Sequence, residues 1–386
     1  MKIRSVQCIL LSAPYATAGD VERIQHLPSG YRAAALLKIE TDDGLYGLGE
    51  PYAGSYAPLV VREITNQIAE LLIGLSPLDS QACIRRLQHA VRYWGRLGIA
   101  QGVIGAIEMA LLDIQGKAAN MPVYELLGGR AIDSLPVYAS GGNDKPDDEL
   151  REEMESYAAA GYAAVKIRIN NLTEPQILAK VSLCHQVLAG RLRLAVDAVQ
   201  SNVPQPWSLK EAQRVATMLE PFNLLWLEEP LPPADLEGLH ALRRSSSIPI
   251  AAGETATSLE EVQHYLRAEA IDILQPDASV IGGMQNFVRA GTLAAASGVD
   301  LAVHAWCGGV GHMANYHAAF ATPNCKFLEL SSVPNPLRDA LLVEPWTLNA
   351  GQLSLPITSG LGVQLTPELE EEFAFRDGTH YRFIAP

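Results

Sequence analysis

Seven ionisable side chains follow apolar, strand-like runs at intervals of roughly one strand–helix unit. Any one carboxylate in such a position indicates no more than a helix N-cap, but seven groups in phase are typical of a shared site. If the runs are parallel strands of a closed barrel, their C-terminal ends converge on one face. We therefore expect one pocket that contains Lys166, Asp197, Glu228, Glu254, Asp277, His304 and Glu329.

Three of these residues, Asp197, Glu228 and Glu254, are carboxylates expected on neighbouring strand ends. In a site of low dielectric constant they repel one another strongly unless a cation lies among them. An all-oxygen ligand set suits Mg²⁺, or Mn²⁺, better than zinc. The alternative is a salt-bridged cluster in which Lys166 and Arg168 supply the positive charge.

Asp277 and His304 are expected on successive units on the opposite side of the barrel. A carboxylate bonded to one imidazole nitrogen orients the ring and raises its basicity, which leaves the other nitrogen free to accept a proton. The alternatives are a buried structural histidine and a Cys–His nucleophile pair that uses Cys307. His312 and His317 fall in the following helix and are interpreted as packing or surface residues.

The elements that must position these residues change character along the chain. The N-terminal part shows strand-like patterns at 2–11, 32–40 and 45–50, and then helical periodicity over 57–126. Strands followed by helices predict an α+β domain over residues 1–127.

Residues 128–347 alternate short β-rich runs with helical segments, which predicts an α/β fold of the (β/α)₈ barrel type. A doubly wound sheet is the rival interpretation, but no GxGxxG follows a strand here. The tail, 348–386, contains no further strand–helix unit and is expected to fold back on the first domain. The eight β-rich runs are 135–139, 163–169, 192–197, 224–229, 248–254, 271–275, 301–304 and 326–330.

Charge and composition exclude several classes of partner. The 386-residue chain has 29 Lys and Arg against 43 Asp and Glu, a formal net charge of −14. This excess of acid argues against nucleic acid or an anionic membrane as the main partner. The N-terminus lacks the features of a signal peptide, and the five scattered cysteines do not predict disulfides or structural zinc. We expect a cytoplasmic protein that acts on a small molecule.

Together the motifs resemble the enolase superfamily, and within it the mandelate racemase subgroup, which includes muconate lactonizing enzymes. The likeness extends along the whole chain, including segments 122–129 and 360–362. The motifs that carry it are Lys166-Ile167-Arg168, Val196-Asp197-Ala198, Trp226-Leu227-Glu228-Glu229-Pro230, Gly253-Glu254, Gln275-Pro276-Asp277 with Ile281-Gly282-Gly283, His304 and Leu328-Glu329.

The resemblance implies a modified (β/α)₈ TIM barrel under an N-terminal α+β capping domain that the C-terminal tail completes. It implies Mg²⁺ bound by the three strand-end carboxylates and removal of the proton α to a substrate carboxylate. His304, paired with Asp277, would be the base, while Glu329 and Lys166 would contact the substrate carboxylate. Because relatives often form symmetric assemblies, it also implies a homo-oligomer.

Two positions depart from the subgroup. Racemases carry a second lysine as the base on the opposite face of the substrate, and here that position is Arg168. A guanidinium keeps its proton at ordinary pH, so Arg168 is expected to bind the anionic substrate. Val199 stands where many relatives have Asn. With His304 as the one competent base, dehydration of a sugar acid to a 2-keto-3-deoxy acid is the leading hypothesis.

Other reactions stay open. The family also contains isomerases, so a racemase, an epimerase or a lactone cycloisomerase is the first alternative. A Schiff-base aldolase that uses Lys166 and a non-catalytic barrel are more remote ones.

Substrate identity is expected to depend on the capping-domain loops at 15–29 and 52–56, with Trp94 and Arg96 as further candidates. The first of these loops contains Arg23 and His26, which could either hydrogen-bond a polyol or lie at the surface.

Overall fold

An antiparallel sheet begins the chain in the computed structural model, which describes residues 1–15 and 30–380. Its strands are β1 (Ile3–Pro14), β2 (Tyr31–Thr41) and β3 (Tyr46–Gly49), and β2 is the central one. β2 is buried along almost its whole length because both faces of the sheet are covered. Ala35, Leu37 and Ile39 pack with the helices of this domain, whereas Ala34 and Leu36 join the main core. The turn before β3 contains Gly44, whose positive φ of 90° favours glycine.

Four helices complete this first part of the chain. They are α1 (Pro58–Ala69), α2 (Ser80–Val91), α3 (Ile99–Ala119) and α4 (Val123–Leu126), with short 3₁₀ turns at Tyr52–Ser55 and Glu70–Leu72. Among the described residues, α3 is the one helix long and apolar enough to cross a membrane. However, 83% of that stretch is buried inside the protein, which is typical of a core helix.

The following strands form a closed parallel barrel, as predicted. Each strand pairs with the next, and the last pairs with the first through Leu328 opposite Val137. The strands are β4 (Ser134–Gly141), β5 (Ala164–Arg168), β6 (Arg193–Asp197), β7 (Leu227–Glu228), β8 (Ile250–Ala252), β9 (Ile273–Leu274), β10 (Asp300–Ala302) and β11 (Cys325–Ser331). The helices between and after them are α5 (Asp147–Ala159), α6 (Glu174–Leu188), α7 (Leu209–Leu219), α8 (Leu236–Ser245), α9 (Leu259–Arg267), α10 (Met284–Ala296), α11 (Gly309–Phe320) and α12 (Pro336–Ala340).

The tail contacts both parts of the molecule. A hairpin of β12 (Leu348–Asn349) and β13 (Gln352–Ser354) pairs antiparallel with the first residues of β4, with Gln352 opposite Pro136. After α13 (Pro367–Glu372), the chain returns to β1, where the Ser12 N–H donates to the Phe373 carbonyl. The boundaries at residues 127 and 347 stay a prediction.

Buried carboxylates of the first domain hold the backbone of the barrel. Glu50 accepts the N–H groups of Gly308 and Gly311 at the start of α11, at 2.8 and 2.9 Å. Glu108 on α3 accepts the Gln285 N–H at the start of α10, at 3.2 Å. The first N–H groups of a helix lack partners within the helix and carry partial positive charge. The two domains are therefore joined through helix N-termini beside the C-terminal face of the barrel.

Because the backbone of α3 packs closely against the barrel, we expect position 105 to require glycine. A Cβ on Gly105 would lie 2.4 Å from the Gly283 nitrogen. We expect Gly105→Ala to lower the free energy of unfolding, measured by urea denaturation, by about 1–3 kcal/mol. Gly102→Ala, one turn earlier, is the control because its Cβ would stand 3.4 Å from its nearest neighbour. Equal effects of the two substitutions would contradict this contact.

The Glu108 contact predicts a pH-dependent stability. Burial raises the pKa of Glu108 from 4.5 to about 7, although the backbone N–H groups of Gln285 and Met284 oppose the shift. Between these values the folded protein binds a proton that the unfolded chain has lost, so the free energy of unfolding falls as the pH rises. Between about pH 4.5 and pH 7, we expect the free energy of unfolding of Glu108→Gln to decrease by on the order of 3 kcal/mol less than that of the unmodified protein. Glu63→Gln, at an exposed position, should leave the pH profile of urea denaturation unchanged.

Candidate active site

The ionisable groups lie directly above a layer of three alanines and one tryptophan in the barrel lumen. This layer contains Ala164, Ala195, Trp226 and Ala302. Because side chains alternate between the two faces of a strand, the residue two positions later faces the same way. Two positions after these four residues come Lys166, Asp197, Glu228 and His304. The alanines of this layer leave room for the Trp226 ring, which packs edge-on against Tyr138 and Phe327.

Lys166 lies at the centre of the carboxylate cluster and is 1% exposed. Its Nζ donates a short hydrogen bond to Glu228 and lies 3.0 Å from Glu329 Oε1 and 3.6 Å from Asp197 Oδ2. Burial would lower the pKa of Lys166, but Glu228 and Glu329 outweigh burial and raise that pKa well above its usual range. A Schiff-base nucleophile must be a neutral amine, so these contacts argue against the aldolase alternative.

Arg168 is held at the edge of the same cluster. Its guanidinium stacks on the Trp306 ring at 4.2 Å, and its Nε lies 3.9 Å from Asp197 Oδ2. A hydrogen bond of 3.3 Å joins Nη2 to the Ser140 hydroxyl. Burial would lower the pKa of Arg168, but Asp197, Glu329 and Glu228 together outweigh burial and raise it. Arg168 therefore stays a cation and cannot act as a base.

Of the three predicted metal ligands, Asp197 and Glu228 are buried and Glu254 is half-buried, and the three carboxylates repel one another. Burial, and then Glu228, raises the pKa of Asp197 to about 7, although Lys166 and Arg168 oppose the shift. Burial also raises the pKa of Glu254, again with a contribution from Glu228. Glu228 Oε2 accepts two hydrogen bonds, one from Trp226 Nε1 at 2.8 Å and one from the Gln275 amide at 2.7 Å. The carboxylates of this cluster therefore carry more negative charge than its cations neutralise.

This donor set fits a hard divalent cation in chemistry, because it offers buried carboxylate oxygens and no thiolate. In residues 1–15 and 30–380, however, no three Asp, Glu, His or Cys side chains are already arranged to hold a metal ion. The positive charge nearest to Asp197 and Glu228 is the Lys166 ammonium. The alternative of a salt-bridged cluster thus describes the contacts in the structure, while the chemistry of the donors suits Mg²⁺.

Across the lumen, His304 and Asp277 form the predicted pair. His304 Nδ1 lies 2.9 Å from Asp277 Oδ2, and its Nε2 lies 3.7 Å from Glu254 Oε2. Burial would lower the pKa of His304, but Glu254 and Asp277 outweigh burial and raise it to about 10. Because Asp277 binds Nδ1, Nε2 is the nitrogen on the side of the carboxylate cluster. The Tyr52 ring of the capping domain packs edge-on against the imidazole at 5.8 Å.

Sequence comparison matches both parts of this structure to known domains. Residues 29–128 match the N-terminal domain of mandelate racemase and muconate lactonizing enzyme, and residues 149–369 match the enolase C-terminal domain-like family. The chain belongs to the enolase superfamily, in its mandelate racemase subgroup. The resemblance that the motifs indicated is thereby confirmed.

The relatives of this chain include enzymes named for two kinds of reaction. Arabinonate dehydratase of Saccharolobus solfataricus is 30% identical over 87% of this chain and 89% of its own length. D-galactarolactone cycloisomerase of Agrobacterium fabrum is 31% identical over 90% and 92%. The crystal structure of L-talarate dehydratase from Polaromonas sp. JS666, complexed with Mg and L-glucarate, superposes with a TM-score of 0.83 at 30% identity, covering 96% of each chain. The protein is therefore an enzyme of a family that contains acid-sugar dehydratases and cycloisomerases.

Glu329 contacts both Lys166 and the backbone that follows His304. Burial would raise its pKa, but the Lys166 ammonium and then His304 outweigh burial and hold that pKa well below its usual range. Its Oε2 accepts the Ala305 N–H at 2.6 Å. In these contacts Glu329 fixes Lys166 and the backbone after His304, and its contact with substrate stays a prediction.

The Cys307 nucleophile alternative is not supported. Burial, and then Asp277, raises the pKa of the Cys307 thiol well above its usual range, so it stays a thiol. Its neighbour is His312, with Nδ1 3.6 Å from Sγ, and burial lowers the pKa of that histidine to about 3. His312 and His317 are both fully buried in α11, which confirms the packing interpretation and excludes the surface one.

Several groups near the site carry no sequence signal of their own. Gln275 is the exception, because it belongs to the Gln275-Pro276-Asp277 motif; Asn315 and Ser279, both bonded to Asp277, lie outside the motifs. Of the capping-domain candidates, Trp94 and Arg96 lie exposed in the α2–α3 connection. The predicted contributions of Arg23 and His26 fall outside the described residues.

Strained backbone follows two of the predicted metal ligands. Val199 has a φ of 51° and Glu229 a φ of 42°, the left-handed region that a β-branched residue rarely adopts. The Val199 N–H donates to Asp197 Oδ1 at 2.9 Å, and Ser201 donates to the buried Glu229 carboxylate. Asn tolerates left-handed backbone, which gives a physical reason for the Asn that many relatives have at the position of Val199.

Val199→Asn should relieve this strain. We expect the free energy of unfolding, measured by urea denaturation, to rise by about 1 kcal/mol, because the left-handed conformation costs non-glycine residues roughly 1–2 kcal/mol. Val203→Asn is the matched control, since Val203 is similarly half-buried in the same loop and does not have a positive φ. The strain argument is wrong if Val199→Asn is no more stable than that control.

Proposed function

We propose that this enzyme removes the proton α to the carboxylate of a sugar acid and eliminates the 3-hydroxyl, giving a 2-keto-3-deoxy acid. The observation that carries the proposal is the asymmetry of the site. His304 has its Nδ1 bound by Asp277 and its Nε2 directed toward the cluster, whereas on the opposite side Lys166 is ion-paired with Glu228 and Glu329, and Arg168 is a guanidinium, which is a poor base. One base and one acid on the same imidazole suffice for elimination, while inversion of a stereocentre by two bases needs a second base.

Asp197, Glu228 and Glu254 would hold Mg²⁺ in this proposal. A bound Mg²⁺ would stabilise negative charge on the substrate carboxylate and, by neutralising Glu254, bring the pKa of His304 down from its present value. Arg168 and Lys166 supply positive charge in fixed places, where it binds and orients the substrate carboxylate.

The proton balance requires only His304. Its Nε2 takes the proton from C2, and the electron pair of the broken C2–H bond forms the C2–C3 double bond as the 3-hydroxyl leaves. The imidazolium returns the proton to this leaving oxygen, which departs as water, and the resulting enol tautomerises to the 2-keto acid. Asp277 keeps Nδ1–H bound throughout, so the ring stays oriented.

His304→Asn tests the base directly. We expect turnover to fall by about 10²–10⁴-fold and solvent-deuterium exchange at C2 to disappear, because Lys166 is ion-paired with carboxylates and Arg168 is a poor base. Mass spectrometry of substrate recovered from D₂O measures the exchange. His264→Asn, at an exposed position on α9, is the control and should keep both activities. Exchange that persists in the His304 variant would remove this residue from the base role.

A lactone cycloisomerase is the second candidate, supported by the 31% identity to D-galactarolactone cycloisomerase of Agrobacterium fabrum. A cycloisomerase also needs only one well-placed base. A screen of mono- and diacid sugars and their lactones with Mg²⁺ separates the two reactions. A dehydratase product reacts with semicarbazide and has lost the mass of water, whereas an isomerase product keeps the mass of its substrate.

Metal dependence is tested in the same screen. We expect EDTA to abolish turnover and added Mg²⁺ to restore it, and Mn²⁺ to substitute. Activity that survives chelation would overturn the role proposed for the three carboxylates. The homo-oligomeric state and the cytoplasmic location stay predictions.

A further inference from the structure

One oxygen of the Asp277 carboxylate, Oδ1, is fully hydrogen-bonded by groups that no sequence motif indicated. Its Oδ1 accepts three hydrogen bonds, from the Ser279 N–H at 2.8 Å, the Ser279 hydroxyl at 2.6 Å and Asn315 Nδ2 at 2.8 Å. Its Oδ2 is the oxygen bound to His304 Nδ1. The two oxygens of the carboxylate therefore have separate tasks, since three donors hold one oxygen and the imidazole binds the other.

Asn315 is itself fixed in one orientation. It lies on α11 and is fully buried, and its Oδ1 accepts the Ala278 N–H at 2.7 Å. Flipping the amide would set its NH₂ group against that N–H and its oxygen against the Asp277 carboxylate, so the hydrogen-bond network defines the assignment. The amide thus spans two consecutive residues of the β9–α10 loop.

The helix that carries Asn315 is anchored from the capping domain. Glu50 accepts the N–H groups of Gly308 and Gly311 at the start of α11. The capping domain also reaches the other donor, because the Tyr52 N–H donates to the Ser279 carbonyl at 3.1 Å. Both groups that hold Asp277 therefore depend on the docking of the two domains.

We propose that Asn315, assisted by Ser279, is the positioning residue of the His304–Asp277 pair. By occupying Oδ1 it prevents rotation of the Asp277 carboxylate, so that Oδ2 faces the imidazole and Nε2 faces the substrate. The catalytic consequence rests on the proposed function, while the positioning itself does not. Removing the outer hydrogen-bond partners of metal ligands, which orient those ligands in the same way, typically changes activity by 10–100-fold.

The catalytic test is Asn315→Leu, which removes both hydrogen bonds at similar volume. We expect kcat to fall on the order of 10–100-fold with KM within about twofold, because Asn315 contacts Asp277 and is not proposed to contact substrate. Asn286→Leu is the matched control. That amide lies on α10 and binds the carbonyls of Ile281 and Gly282, in the same loop but away from Asp277. The control should keep kcat within about twofold.

A second measurement needs no substrate. The proton of the Nδ1–H···Asp277 hydrogen bond should give a downfield ¹H resonance, assigned by its loss in His304→Asn and followed with ¹⁵N-labelled histidine. We expect Asn315→Leu to shift or broaden this resonance and Asn286→Leu to leave it in place. If no sugar acid is turned over, the proposed function fails while this readout still decides the positioning role.

Ser279→Ala serves if Asn315→Leu does not fold, because it removes one of the three donors and leaves only a small gap. It should shift the same resonance by a smaller amount and lower kcat less. A variant of either residue that melts at lower temperature, yet keeps the resonance and kcat, would assign that residue to packing alone and overturn the proposal.

Discussion

The balance of buried charge at the C-terminal face of the barrel is the constraint on which the rest of this structure depends. Water is largely excluded there, so each carboxylate must be hydrogen-bonded, paired or neutralised. Three cations face an excess of acid, and the result is opposite shifts in neighbouring groups. The pKa of Asp197 is raised to about 7, while that of Glu329 is held far below its usual range by the Lys166 ammonium. Such divergence between adjacent groups is typical of catalytic sites.

The capping domain participates in this balance through backbone contacts. Its carboxylates Glu50 and Glu108 bind the first N–H groups of α11 and α10, the helices that follow β10 and β9. Those two strands lead to His304 and Asp277. The domain interface and the orientation of the base are therefore parts of one network, which also explains why α3 must approach the barrel backbone as closely as glycine allows at Gly105.

Much of the site could be predicted because a barrel converts spacing along the chain into proximity. Asp197, Glu228 and His304 each lie two residues beyond a lumen-facing residue, and a period of two is readable from sequence. The partners of Asp277 could not be found in this way. Asn315 reaches it from the following unit, and its relevance depends on how α11 packs. The strain at Val199 is equally invisible, because φ is decided by the loop as a whole and not by the residue that occupies it.

The sequence by itself determined the alternation of strands and helices, the order of the ionisable groups and the replacement of a potential base by Arg168. These features depend on residue type and period, which are local properties. Tertiary structure alone decided which carboxylates contact Lys166, which oxygen of Asp277 meets the imidazole, and that the tail pairs with β4 before it returns to the first domain. Those outcomes depend on distances between groups far apart in the chain, and burial makes differences of an ångström decide charge and protonation.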